Sequence, residues 1–177
     1  MQSHIFTATA FAVSAAFAFG SSAMSADLPQ QGSFTTHSAG KFTFGNPNGQ
    51  PVQVGEKHFI ASGTAWHVLS NDAGNGPLHR GSGVCTFAGD DVNGSYTVSG
   101  DCAFGDAGGA DKIFVGWSGK GTENVGEQGT GTITGGIGKY DGIQGKFAYQ
   151  CKPIDPAQGL FDCTQRFDYQ LAAAATR

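Results

Sequence analysis

Trp66, Tyr96, Trp117, Tyr149 and Tyr169, with His67 next to the first of them, are the side chains of this 177-residue sequence best suited to chemistry. Such rings offer an apolar body with one polar tip, and a few of them together hold small hydrophobic molecules while the tips orient a polar group. Packed against one another inside a barrel, the same rings make an ordinary core. Spacing alone leaves both readings open. Trp117, Tyr96, Tyr149 and His67 are the candidate ligand-binding residues.

Other chemistries find little support. The segment around Gly138-Lys139 superficially resembles a phosphate loop. The position five residues before the Gly-Lys pair is Ile133, however, the residue after it is Tyr140, and no helix follows to receive a phosphate or a dinucleotide. No GxSxG elbow is present. His37, His58, His67 and His79 never recur at a metal-binding interval, and there is no CxxC or HxxxH spacing for zinc. Asp90–Gly94 and Gly108–Asp111 look like fragments of calcium loops without the full ligand set, so they are read as turns. No metal and no cofactor are expected, and no catalytic residue is assigned. The glutamates Glu56, Glu123 and Glu127 fall near strand ends and are expected in solvent.

Alternation positions these residues. Phe161, Cys163, Gln165, Phe167, Tyr169 and Leu171 share one face of a strand over Leu160–Leu171, with polar residues between them. Tyr96, Val98, Cys102 and Phe104 share a face over Ser95–Phe104, as do Ile113, Val115 and Trp117 over Asp111–Gly119. Thr130, Thr132 and Thr134 mark a strand that stops at Gly135-Gly136. A glycine-punctuated turn follows, then a strand in which Ile143, Gly145, Phe147 and Tyr149 face one way. Residues 57–69 and 78–88 supply two more. No stretch after Asp27 carries a 3.6-residue apolar stripe. The pattern predicts an all-β fold, a single closed antiparallel meander barrel of about eight strands, because closure is the simplest way to remove exposed edges.

The first 26 residues contain no Lys, Arg, Asp or Glu, and Ile5–Phe19 is apolar, as in a signal peptide, with small residues for cleavage between positions 23 and 26. Residues 27–51, rich in Gly, Ser, Gln and Asn, read as a flexible arm with a short edge strand, and residues 52–177 as the barrel domain. Four cysteines behind an export leader favour disulfides, with Cys85–Cys102 and Cys151–Cys163 each joining neighbouring strands across one loop. An exported protein, periplasmic or secreted, is therefore expected. The net charge of −4, without a basic patch or polybasic run, argues against nucleic acid and against membrane attraction. The strands lack the aromatic girdles of an outer-membrane barrel, so membrane insertion is not expected.

Residues 135–145, GGIGKYDGIQG, preceded by Gly129-Thr130-Gly131-Thr132 and followed by an aromatic strand, resemble the glycine hairpin of the allene oxide cyclase-like and dirigent-like barrels, nearest their small exported bacterial members. The motif covers about residues 111–151. The resemblance implies an eight-stranded barrel with an apolar cavity, a small apolar or phenolic ligand, and assembly into a homo-oligomer as in the plant relatives. Those relatives cyclise a fatty-acid-derived epoxide or steer phenol coupling, but their site residues have no match here. Binding of a small hydrophobic or aromatic molecule is the leading expectation. A cyclase or isomerase acting by confinement, and a structural or surface-interaction module with a filled core, are the alternatives.

Overall fold

The computed structural model describes residues 28–172, so the leader assigned to residues 1–26 lies outside the described residues. The strands follow in chain order as β1 (Gln31–Phe44), β2 (Val52–Gly55), β3 (His58–Asn71), β4 (Ser82–Val92), β5 (Ser95–Gly105), β6 (Lys112–Thr122), β7 (Gly126–Ile137), β8 (Ile143–Asp155) and β9 (Leu160–Leu171). Each of β3 to β8 pairs antiparallel with the next, β9 pairs with β1, and β1 returns to β3 with Thr36 opposite Asn71 and Phe44 opposite Gly63. The chain is thus a closed eight-stranded antiparallel barrel with one strand, β2, outside it. Among the described residues no helix is long and apolar enough to cross a membrane, which says nothing of a barrel.

β1 corrects the expectation for residues 27–51. Instead of a flexible arm with a short edge strand, Gln31–Phe44 is a full barrel stave, and the edge strand is β2, which pairs only with the start of β3. The stave is hard to see because three of its inward positions, Thr36, Ser38 and Gly40, are polar or lack a side chain. Thr36 and Ser38 are nevertheless buried, and each finds a polar partner across the interior: Thr36 Oγ1 donates to Gln165 Oε1 at 2.8 Å, and Ser38 Oγ lies 3.1 Å from His67 Nδ1. Hydrogen bonding replaces apolar alternation there. β4 begins at Ser82 rather than at residue 78. Leu78 and Arg80 adopt left-handed backbone conformations in the preceding loop, and Leu78 turns into the core.

Both expected disulfides, Cys85–Cys102 and Cys151–Cys163, are present, each between residues directly opposite in register. No cysteine among the described residues is free.

The interior is filled at one end. There Phe104, Ile113, Val115, Ile143 and Phe167 are buried, with Phe104 and Phe167 edge to face at 5.9 Å. The glycine hairpin closes this end. Gly138–Tyr140 forms a single 3₁₀ turn, made feasible by the left-handed Gly138, and drops the fully buried Tyr140 ring across the opening. The Tyr140 hydroxyl donates to Asp106 Oδ1 at 2.9 Å, the Leu78 amide donates to the same oxygen at 2.7 Å, and the Lys139 ammonium pairs with the other oxygen of Asp106. The residues that carry the family resemblance therefore build the floor of the barrel.

Candidate functional site

At the opposite end the inward positions of the staves do not meet. They enclose a cavity of about 600 Å³ that opens between the β1–β2, β6–β7 and β8–β9 connections, with Gln50, Asn124 and Pro156 at its border. Trp117, Tyr96, Tyr149 and His67 all stand on its wall. Trp66 and Tyr169 do not. Trp66 is 62% exposed on the outside of β3, as its adjacency to the inward His67 demands, and Tyr169 packs in the filled half beside Phe34.

Glycines create the room. Tyr149 lies flat against the wall over Gly119 and Gly129, where a β-carbon would collide with its ring or hydroxyl, and Tyr96 covers Gly121 in the same way. The Tyr149 ring meets Trp117 edge to face at 5.5 Å and stacks on Phe147 at 5.6 Å, so its orientation is held from two sides. Tyr149 is only 8% exposed, yet its hydroxyl makes no fully formed hydrogen bond, and neither does the buried Trp117 indole N–H. Among the described residues the other buried side-chain polar atoms without a hydrogen-bond partner are Asp106 Oδ2, which has its ion pair with Lys139, and His79 Nδ1 in the β3–β4 loop. Two unpaired donors on one apolar wall carry a desolvation cost that a polar atom placed in the cavity would remove.

Glu127 is the residue that sequence reasoning placed wrongly. It is partly buried and points inward with the Tyr96 and Tyr149 phenols around its carboxyl group, although neither contact closes into a complete hydrogen bond. Burial pushes the Glu127 carboxyl up, and the two phenols oppose that shift without cancelling it. Burial first, and then the neighbouring Glu127, raises both phenols far above the ordinary tyrosine range, so they stay protonated and can only donate or accept through a neutral O–H. The signal for Glu127 was present in the chain: Gly129, Gly131 and Ile133 face inward, and the same parity extends to 127.

His67 stands deeper. Its Nδ1 lies 3.1 Å from Ser38 Oγ and its Nε2 3.5 Å from Cys85 Sγ, while Phe104 and Phe161 meet the ring edge to face at 5.7 and 5.1 Å. Desolvation by this shell lowers its pKa to about 4, so the ring is neutral at physiological pH.

A second concavity, about 920 Å³ and open to solvent, runs across the outer wall of β4 to β7, where Ser99, Ser118 and Thr130 leave the surface shallow. Although larger, it adds no buried polar group of its own and reaches Tyr149 only through the gap left by Gly119 and Gly129. The enclosed cavity is the better site. Among the described residues no group of three His, Cys, Asp or Glu is placed to hold a metal ion. No protein-family model matches the sequence, and no curated protein matches it.

Proposed function

We propose that the protein is an exported container that binds a small hydrophobic or aromatic molecule in the unfilled half of its barrel. One observation carries this reading: two buried, unpaired donors, the Tyr149 hydroxyl and the Trp117 indole N–H, stand on the wall of an aromatic cavity of about 600 Å³. That volume and lining suit a molecule of one or two rings or a short chain with a single polar group. The two disulfides favour an oxidising compartment and so support export. Kinship with the allene oxide cyclase-like and dirigent-like barrels belongs to the same proposal. It rests on the glycine hairpin and agrees with the closed eight-stranded architecture, which unrelated families also use.

The test uses Trp117 as the reporter. Trp66 is exposed outside the barrel, so a Trp66→Phe variant leaves only the cavity tryptophan to emit. Titration with a panel of fatty acids, phenols and aromatic amines is expected to change its emission saturably with at least one member. An Ala61→Phe variant, which enlarges a side chain already on the cavity wall, is expected to abolish the change. Absence of any response across the panel would remove the container reading.

A second reading, an isomerase or cyclase acting on the confined molecule, is favoured by Glu127. A carboxyl group pushed up by burial is suited to proton transfer, and the two neutral phenols that flank it can hold the oxygen that receives charge. Turnover of an epoxide or phenolic substrate that is lost in Glu127→Gln but not in Glu123→Gln would establish it.

A further inference from the structure

The charges that face the cavity have one sign. Asp91 on β4 and Glu127 on β7 project inward by strand parity, and Glu123 stands in the β6–β7 turn over the same opening. All three act on the Tyr96 phenol, each adding to the burial that keeps it protonated. Lys152 is the only lysine or arginine among the described residues bordering the cavity, and it is exposed on the outward side of β8, opposite Asp162 in register. His67, which could otherwise supply positive charge, is held neutral by its apolar shell.

An anion entering such a chamber would lose its hydration, meet carboxylates at the mouth and find no cation inside. A cation meets the reverse. Three carboxylates raise its concentration at the opening, and the faces of Tyr96, Tyr149 and Trp117 attract it inside through their ring quadrupoles. The buried Tyr149 oxygen has no partner and lies beside Glu127, so it can accept from an ammonium N–H while its own hydrogen turns toward the carboxyl group, which marks where a polar head would sit. We propose that the natural occupant is a hydrophobic organic cation, an aryl or alkyl ammonium with its charge against Glu127 beneath Tyr96 and Tyr149 and its hydrocarbon part against Phe147 and Trp117. This rests on the container reading and specifies it. It also sets this chamber apart from one built for a fatty-acid carboxylate.

Equilibrium dialysis of the full chain against three matched probes tests the charge rule: benzyltrimethylammonium, its neutral carbon isostere neopentylbenzene, and phenylacetate. The wild-type protein is expected to bind the cation at least tenfold more tightly than the isostere, and phenylacetate more weakly than either. In Glu127→Gln the preference for the cation over the isostere should fall toward unity while the isostere itself remains bound, the far-ultraviolet spectrum being unchanged. Equal affinity for cation and isostere, or tighter binding of phenylacetate, would overturn the charge rule and leave the container standing. Failure of all three probes to bind would overturn both.

Discussion

The two halves of the barrel treat polar groups in opposite ways. In the floored half the Tyr140 hydroxyl, the Leu78 amide and the Lys139 ammonium all converge on Asp106, and at the boundary Thr36 bonds to Gln165. In the open half the Tyr149 hydroxyl and the Trp117 N–H have no partner, and a carboxyl group is held among rings. A network whose members satisfy one another stabilises and has nothing left to offer a ligand. Groups left unsatisfied on a rigid wall cost stability and are free to bind. The contrast separates two tyrosines of almost equal burial, Tyr140 and Tyr149, into a structural plug and a candidate binding group.

The largest effect should come from removing a ring on each side of the divide. Phe167, fully buried among Phe34, Phe104 and Phe147, is expected to cost about 3–5 kcal/mol on change to alanine, in urea unfolding followed by circular dichroism. Phe87, part of the cavity lining and only partly buried, should cost less than half as much on the same change, because no packed neighbour loses it on the cavity side. Equal losses would mean that the open half is as tightly filled as the floor.

A smaller, pH-dependent effect follows from His67, at the boundary between the halves. Its folded pKa of about 4 lies below the ordinary value of 6.5, so the unfolded chain binds the proton more readily. The stability this represents is fully present above pH 6.5 and is lost as pH falls toward 4, about 3 kcal/mol across the window. The side chains packed on the ring, Ser38, Phe104, Phe161 and the bonded Cys85, carry no charge that could soften the loss. Glu127 works against it. Its carboxyl pKa, raised by burial against the opposing effect of Tyr149 and Tyr96, makes the folded state hold a proton that the unfolded chain releases, which favours folding as pH falls. Melting temperatures of wild type and His67→Gln between pH 7 and 4 check the sign. The variant should lose less stability than wild type over that range, and parallel curves would place the titrating group elsewhere.

Much of this division could be read from the chain, and the unread parts share a cause. Alternation in β9 and β8 assigned Phe167, Tyr149 and Phe147 to the interior because apolar and polar residues trade places there without interruption. β1 escaped notice because Thr36 and Ser38 are interior residues satisfied by hydrogen bonds, a device that period-two hydrophobicity does not register. Glu127 escaped because charge near a strand end is ordinarily solvated, and only its parity with Gly129 and Gly131 gave it away. Gly119 and Gly129 read simply as strand positions, whereas in the barrel they are the recess into which Tyr149 lies. A missing side chain signals room only once the ring that occupies the room is known.

The finest comparison removes one oxygen from each tyrosine. Tyr140→Phe leaves Asp106 in place but takes away a donor that it uses at 2.9 Å in a nearly dry environment, so a loss of about 1–2 kcal/mol is expected in urea unfolding. Tyr149→Phe takes away a hydroxyl that has no fully formed bond, and its unfolding midpoint should stay within about 0.5 kcal/mol of wild type or rise. In ligand binding the order should reverse, with Tyr149→Phe weakening benzylammonium, whose N–H groups can donate to the phenol oxygen, and Tyr140→Phe leaving it unchanged. If Tyr149→Phe proves as destabilising as Tyr140→Phe, its hydroxyl is satisfied in solution, by Glu127 or by water. The open half would then be a polar network in its own right, and the strongest reason to regard that wall as waiting for a ligand would be gone.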